Sequence, residues 1–219
     1  LPRQFLYAEE DLGKSKALAA KQRLEKINSR CQLRAEAIHL SKKSLDLLQD
    51  ADLILDCTDN LATRFLINDY CKKERKIWIY AAAIKTEGYV LPIFPDGPCL
   101  RCFLSEETSP ETCASAGVLN TIIAGVASLQ ATRAIKILLG AERSRNLIHF
   151  DVWKPTVQNI ALKQKADCPA CHGTYPALGA EENLISVPFC GSQKYQVIGQ
   201  KKNLNLLQER WERLGPVFR

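Results

Sequence analysis

Apolar positions recur at helical spacing from Lys16 to Asn28, where Leu18, Ala19, Ala20, Leu24 and Ile27 predict a helix with Ser15 as its N-cap. Residues 32–38 (QLRAEAI) alternate and predict a strand, and 44–50 suggest a short helix. The apolar run DLILD (52–56) predicts a buried strand, after which CTDN turns into a second helix, LATRFLINDYCKKE. Two further buried strands are expected at IWIYAAAI (77–84) and GYVLPIF (88–94). GVLNTIIAGVASLQATRAIKILLG (117–140) is apolar on nearly every face and predicts a buried or interface helix. The strands NLIHFDV and TVQNIALK follow. Strand–helix alternation of this kind predicts an α/β fold, a mainly parallel sheet with flanking helices.

Beyond Ala180 the pattern changes. LISVPFC and YQVIGQ read as strands, and Asn203 caps a helix with Leu204, Leu207, Trp211 and Leu214 on one face and Gly215-Pro216 as its stop. The expected organisation is therefore a domain over 1–180 and the start of a small strand–helix domain over 181–219, too small for a core of its own. More chain is expected to follow it.

The composition fits a globular protein, with 46% hydrophobic and 25% charged residues among 219. The formal charge is +6, but basic and acidic residues are interleaved, which reads as a solvated surface and not as a nucleic-acid footprint. No apolar run approaches the roughly 18 residues of a membrane span, and the opening LPRQFLYAEEDLGK has no signal-peptide pattern. Neither a nucleic acid nor a membrane is an expected partner, and the expected location is cytoplasmic. The sequence holds no Met and opens on Leu1, so it is read as a piece cut at its N-terminus.

Nine cysteines change the picture more. Cys31, Cys57 and Cys71 lie in regular segments and are expected to be inert buried thiols. Cys99 and Cys102 form one C-x2-C, and Cys168 and Cys171 form another. Two such pairs supply the four corners of a tetrahedral zinc site, provided that the long intervening segment brings them together. Surface thiols or redox pairs are the alternative, but neither pair precedes a helix of thioredoxin-like pattern. His172 is a substitute ligand that four cysteines make unnecessary. Cys113, in TSPETCASAG, stands outside both pairs just before a long helix, where a thiol can be activated as a nucleophile.

LILDCTDN places Asp56 and Asp59 at the C-terminal end of a buried strand, where open α/β sheets bind ligands. A carboxylate there can hold Mg2+ against a polyphosphate, and the competing reading makes Asp59 an N-cap. Lys16 ends a Gly-x-x-Lys run (Gly13 to Lys16) at the start of its helix, with Arg3 upstream.

Taken in order, LPRQFLYAEEDLGKSKA, ILDCTDNLATRFLIND, AAAIKTEGYV, GPCLRCF, CASAGVL, ASLQATRAIKILLG and DCPACHG resemble the ubiquitin-activating-enzyme superfamily. Within it they are most similar to the HesA/MoeB/ThiF adenylyltransferases, over about residues 1 to 173. The resemblance implies a Rossmann-like fold with a four-cysteine zinc staple. It also implies ATP-dependent adenylation of the C-terminal glycine of a ubiquitin-like sulfur-carrier protein ending in Gly-Gly, with a homodimer as the assembly. Arg3 and Gln4 would belong to the nucleotide site, Lys16 would contact phosphate, and Asp59 with Asn60 beside it would serve Mg-ATP. Cys99, Cys102, Cys168 and Cys171 would hold zinc. Cys113 would match the cysteine that in some members forms a thioester or acyl disulfide with the carrier.

The sequence departs from the family in lacking a GxGxxG loop ahead of Leu1, so this chain alone is expected to bind ATP poorly. Three other readings remain open at this point: activation of another modifier or peptide, a non-catalytic zinc-stapled scaffold, and a nicotinamide oxidoreductase suggested by fold alone. Lys16 and Asp59 argue against the scaffold.

Overall fold

Helix α1 (Lys16–Ile27) forms where the apolar spacing predicts it, with Ser15 at its N-cap. The computed structural model describes residues 4–105 and 116–179, together with the backbone of 185–188 and 195–198. Residues 32–38 form no strand; much of the segment is exposed, and nothing among the described residues pairs with it. A 3-10 helix, Lys42–Leu48, replaces the short helix expected over 44–50 and buries Leu45.

Five strands make the main sheet, in the order β1 (Leu53–Leu55), β2 (Ile77–Ile84), β3 (Glu87–Ile93), β4 (Asn146–Asp151) and β5 (Thr156–Ala161). The sheet is mixed, where a mainly parallel one was expected: β1 and β2 run parallel, and the other three pairs are antiparallel. The cause lies in the connections. Helix α2 (Leu61–Lys73) supplies the crossover that parallel strands need, whereas β2 and β3 are joined through only Lys85 and Thr86. Lys85 takes a left-handed φ of 52°, as a two-residue hairpin turn requires.

Two apolar clusters cover the two faces. On one, Trp78, Tyr80, Leu91, Ile93 and Leu147 pack against Phe65, Leu66 and Tyr70 of α2 and against the cysteine knuckles. Each fully buried side chain of this size contributes about 1.5–3 kcal/mol relative to exposure. On the other, Ile79, Ala81 and Val90 meet Ile122, Val126 and Ala134 of helix α4 (Asn120–Leu138). A short helix α3 (Leu100–Phe103) precedes α4 in the chain. Gly88 sets how closely α4 approaches, since a Cβ there would meet Val126 Cγ2 at 2.6 Å and Phe150 Cε1 at 2.9 Å. By length and composition alone α4 could cross a membrane, contrary to the reading that no such run exists; here it lies on the sheet through these contacts. Its entry is fixed too, because Lys85 N donates to Gly117 O (3.0 Å) and Leu119 N to Lys85 O (2.8 Å).

The chain folds as two compact units, Leu1–Ala180 and Glu181–Arg219. The first ends with a single helical turn, α5 (Pro176–Gly179). In the second, β6 (Ile185–Pro188) and β7 (Tyr195–Ile198) pair antiparallel. The helix expected after Asn203 lies outside the described residues.

Candidate functional site

The two C-x2-C pairs, 69 residues apart from Cys99 to Cys168, meet in space. All four Sγ atoms lie within 4.8 Å of one another. Cys99 Sγ is 3.5 Å from Cys168 Sγ, and Cys102 Sγ is 3.7 Å from Cys171 Sγ. Tetrahedral ligands about 2.3 Å from a zinc ion stand about 3.8 Å apart, so the quartet has the dimensions of a metal site. Three of the four residues are buried, as a closed structural site requires. His172 is not among them, because its Nδ1 faces the Cys168 carbonyl at 2.8 Å.

The electrostatics fit a quartet that is uncomfortable without a cation. Burial, then the charge of Cys102 and Cys168, pushes the Cys99 thiol up to about 11. Cys171 is raised by burial first and by Cys99 next. At Cys102 burial acts upward, yet hydrogen bonding to the backbone of Cys99 and Lys165 and to the other thiols outweighs it, and this group is lowered. The Lys165 N–H lies 3.5 Å from Cys102 Sγ. The site is thus four sulfurs converging at ligand spacing, where a divalent ion would stabilise their thiolate forms.

The second cluster sits at the C-terminal end of β1, where the sequence crowds two acids. They part company in the structure. Asp56 is buried and fully engaged: Arg64 Nε donates to Oδ2 (3.0 Å), and Thr58 N and Oγ1 donate to Oδ1 (2.8 and 2.7 Å). Arg64 also donates to the Ala81 carbonyl (3.1 Å) and lies over the Tyr80 ring (5.1 Å). From the other face of the sheet, Gln130 Nε2 donates to Asp56 O (2.9 Å) and Ile79 O (3.1 Å). Asp59 is exposed, and among the described residues its carboxylate has no hydrogen-bond or ion-pair partner. The N-cap of α2 is Asn60, whose Oδ1 accepts from Thr63 N at 2.8 Å. Capping therefore does not account for Asp59.

Lys16 is exposed at the first position of α1, and no hydrogen bond or ion pair joins it to Asp59 among the described residues. Gln4 is half-buried, and its carbonyl accepts from Tyr7 N (3.1 Å). Arg3 and Cys113 lie outside the described residues. Of the three thiols expected to be inert and buried, only Cys71 is buried, and burial pushes it up to about 12. Cys31 and Cys57 are exposed, because both stand in loops outside any helix or strand. The Cys57 thiol is nonetheless raised, by burial of its sulfur and then by Asp56, and it faces Gln130 Oε1 at 3.9 Å.

Sequence reasoning missed the anchors Arg64 and Gln130. The one available signal for Gln130 was a carboxamide in the middle of a long apolar helix.

A family model described as the ThiF family matches residues 1–170. This chain belongs to the ThiF family. Among curated relatives it is 35% identical over 207 residues to "Sulfur carrier protein ThiS adenylyltransferase" of Bacillus subtilis, covering 90% of this chain and 61% of that protein. It is 37% identical over 179 residues to "Adenylyltransferase and sulfurtransferase MOCS3" of Aedes aegypti, covering 78% of this chain and 41% of that one. The chain thus spans roughly two-fifths to three-fifths of the length of these two relatives. Among solved structures, that of E. coli MccB with ATP superposes with a TM-score of 0.66 at 20% identity, over 78% of this chain and 54% of that one. At that identity the likeness is one of fold.

Proposed function

We propose that this ThiF-family protein adenylates the C-terminal glycine of a ubiquitin-like sulfur-carrier protein ending in Gly-Gly, using ATP. The observation that carries the reading is Asp59: an exposed carboxylate without a partner among the described residues, at the end of β1 beside the N-terminus of α2. Its neighbour Asp56 is consumed in holding the turn. The names of the B. subtilis and A. aegypti relatives support the same chemistry.

In this reaction a carrier carboxylate oxygen bonds to the α-phosphorus of ATP. The bond from that phosphorus to the oxygen bridging to the β-phosphate breaks, and pyrophosphate leaves with the electron pair. Two anions must approach, so the protein's part is positive charge and positioning. Arg3 and Lys16 supply charge to the phosphates, Gln4 lies beside Arg3 in the nucleotide site, and Asn60 fixes the start of α2. Asp59 would hold Mg2+, which when bound neutralises phosphate charge. Cys99, Cys102, Cys168 and Cys171 would hold Zn2+ in a structural role, tying α3 and its N-cap to the return of the chain after β5. Cys113 would attack the carbonyl carbon of the carrier acyl-adenylate through its thiolate, forming a thioester as AMP leaves with the electron pair. An acyl disulfide would form in its place where Cys113 has first received a sulfur atom from a persulfide donor, and the outer sulfur of the resulting persulfide displaces AMP. The cytoplasmic location and the homodimer belong to this reading. The exposed Ile135 and Leu138 of α4, with Leu139 at its C-cap, offer apolar area for the dimer. We also read 1–180 as the adenylyltransferase domain and 181–219 as the start of an appended one.

Carrier-dependent ATP–pyrophosphate exchange tests the proposal in the whole protein. Exchange should persist in Cys113→Ala and be lost in Asp59→Ala. A folded, metal-replete protein that shows no exchange with any Gly-Gly-ended carrier would refute it.

A further inference from the structure

Helix α2 carries a pair, Asn68 and Asp69, that belongs neither to the Asp59 corner nor to the cysteine quartet. Both side chains are fully buried. The Asp69 carboxylate accepts four hydrogen bonds. Arg101 Nε (2.8 Å) and Asn68 Nδ2 (3.0 Å) donate to Oδ1; Arg101 Nη2 (2.8 Å) and Ala177 N (2.9 Å) donate to Oδ2. That fills the roughly four acceptor sites of a carboxylate. Asn68 Oδ1 in turn accepts from Leu100 N at 2.9 Å.

The identity of these partners gives the pair its meaning. Leu100 and Arg101 are the two residues between Cys99 and Cys102, and Ala177 lies just beyond Cys171. One helix face therefore holds the inside of the first knuckle and the exit of the second. An ionised group is costly to bury, and the charge-assisted fork from Arg101, itself 4.7 Å from the Phe65 ring, offsets that cost at this one place. A core that needed only packing would have no use for a buried carboxylate here.

We propose that Asn68 and Asp69 are positioning residues for the four-cysteine metal site. They hold both knuckles on α2, so that the four thiols stand at ligand spacing before a metal ion arrives. The inference rests on reading Cys99, Cys102, Cys168 and Cys171 as metal ligands. Partners that orient ligands in this way typically change metal affinity 10- to 100-fold when removed.

The test measures Zn2+ affinity of the whole protein by competition with a chromophoric chelator, alongside urea unfolding of the metal-free form. Asp69→Asn should weaken Zn2+ binding about 10- to 100-fold, with one ion per chain still bound at saturation and the Co2+-substituted protein still showing thiolate-to-metal absorption. Arg101→Lys keeps the charge but loses the fork, so it should weaken binding by a smaller factor. It carries the test if Asp69→Asn does not fold. Both variants less stable without metal yet binding Zn2+ as tightly as wild type would mark the pair as packing alone and overturn the positioning role. A wild-type protein that holds no metal would overturn the metal-site reading and this inference together.

Discussion

Replacing Asp56 and Asp59 separately by Ala should give opposite phenotypes from two acids three residues apart. Asp56 is 1% exposed and its partner Arg64 has a 13% exposed side chain, so solvent screens the pair little. Removing one member of a buried ion pair costs about 3–5 kcal/mol, chiefly because the other charge is left uncompensated. Arg64 would keep the Ala81 carbonyl and the Tyr80 ring, which places the expected loss at the lower end, about 3 kcal/mol. For a unit of this size that is a fall in Tm of about 6–12 °C. Asp59→Ala removes an exposed group with no partner among the described residues and should change stability by less than about 0.5 kcal/mol. It should instead abolish pyrophosphate exchange. Urea unfolding and exchange, measured on both variants, decide the matter. If Asp59→Ala were the unstable one, or Asp56→Ala were as stable as wild type, the division of labour between the two acids would be wrong.

Stripping the metal with a chelator should lower Tm, and added Zn2+ should restore it, by about 2.7 kcal/mol once free Zn2+ exceeds its Kd a hundredfold; Cys168→Ser should blunt that recovery in a thermal melt. Gln130→Leu should leave Asp56 O without its donor while Ile79 O keeps the Asp56 N–H (3.0 Å), a cost of about 1–3 kcal/mol by urea unfolding. Cys71, pushed up to about 12 by burial, should stay a neutral thiol at pH 8 and resist alkylation in the native state, while exposed Cys31 is modified; mass spectrometry of the alkylated protein distinguishes the two.

The readable parts of the sequence were those whose information is local. Ligand type and spacing announced the knuckles, because C-x2-C is a geometric unit in itself. Apolar runs located β2 and β3 to within a few residues, since a strand buried on both faces has few polar positions to spare, whereas β5 is exposed along its whole length. Strand direction was less legible, since it depends on which runs are close enough to turn back, and the Lys85–Thr86 turn carries no Asn or Gly to advertise it. Residues 32–38 had the alternation of a strand but no neighbour to pair with. The Asn68–Asp69 pair was invisible for a different reason. In LINDYC it resembles the solvated stripe of an ordinary helix, and only the arrival of Arg101, 32 residues later, shows that the stripe faces inward.

The distance from Asn60 to Asp69 along α2 has a consequence for how this chain can vary. Nine residues of helix span about 14 Å and are nearly straight, so the cap beside Asp59 and the anchor of the knuckles keep a set separation and a set angle. One residue inserted between them would turn everything beyond it by about 100° and carry Asn68 and Asp69 away from Leu100 and Arg101. Insertions and deletions should therefore be tolerated in the exposed segment from 28 to 40 and rejected between 61 and 68.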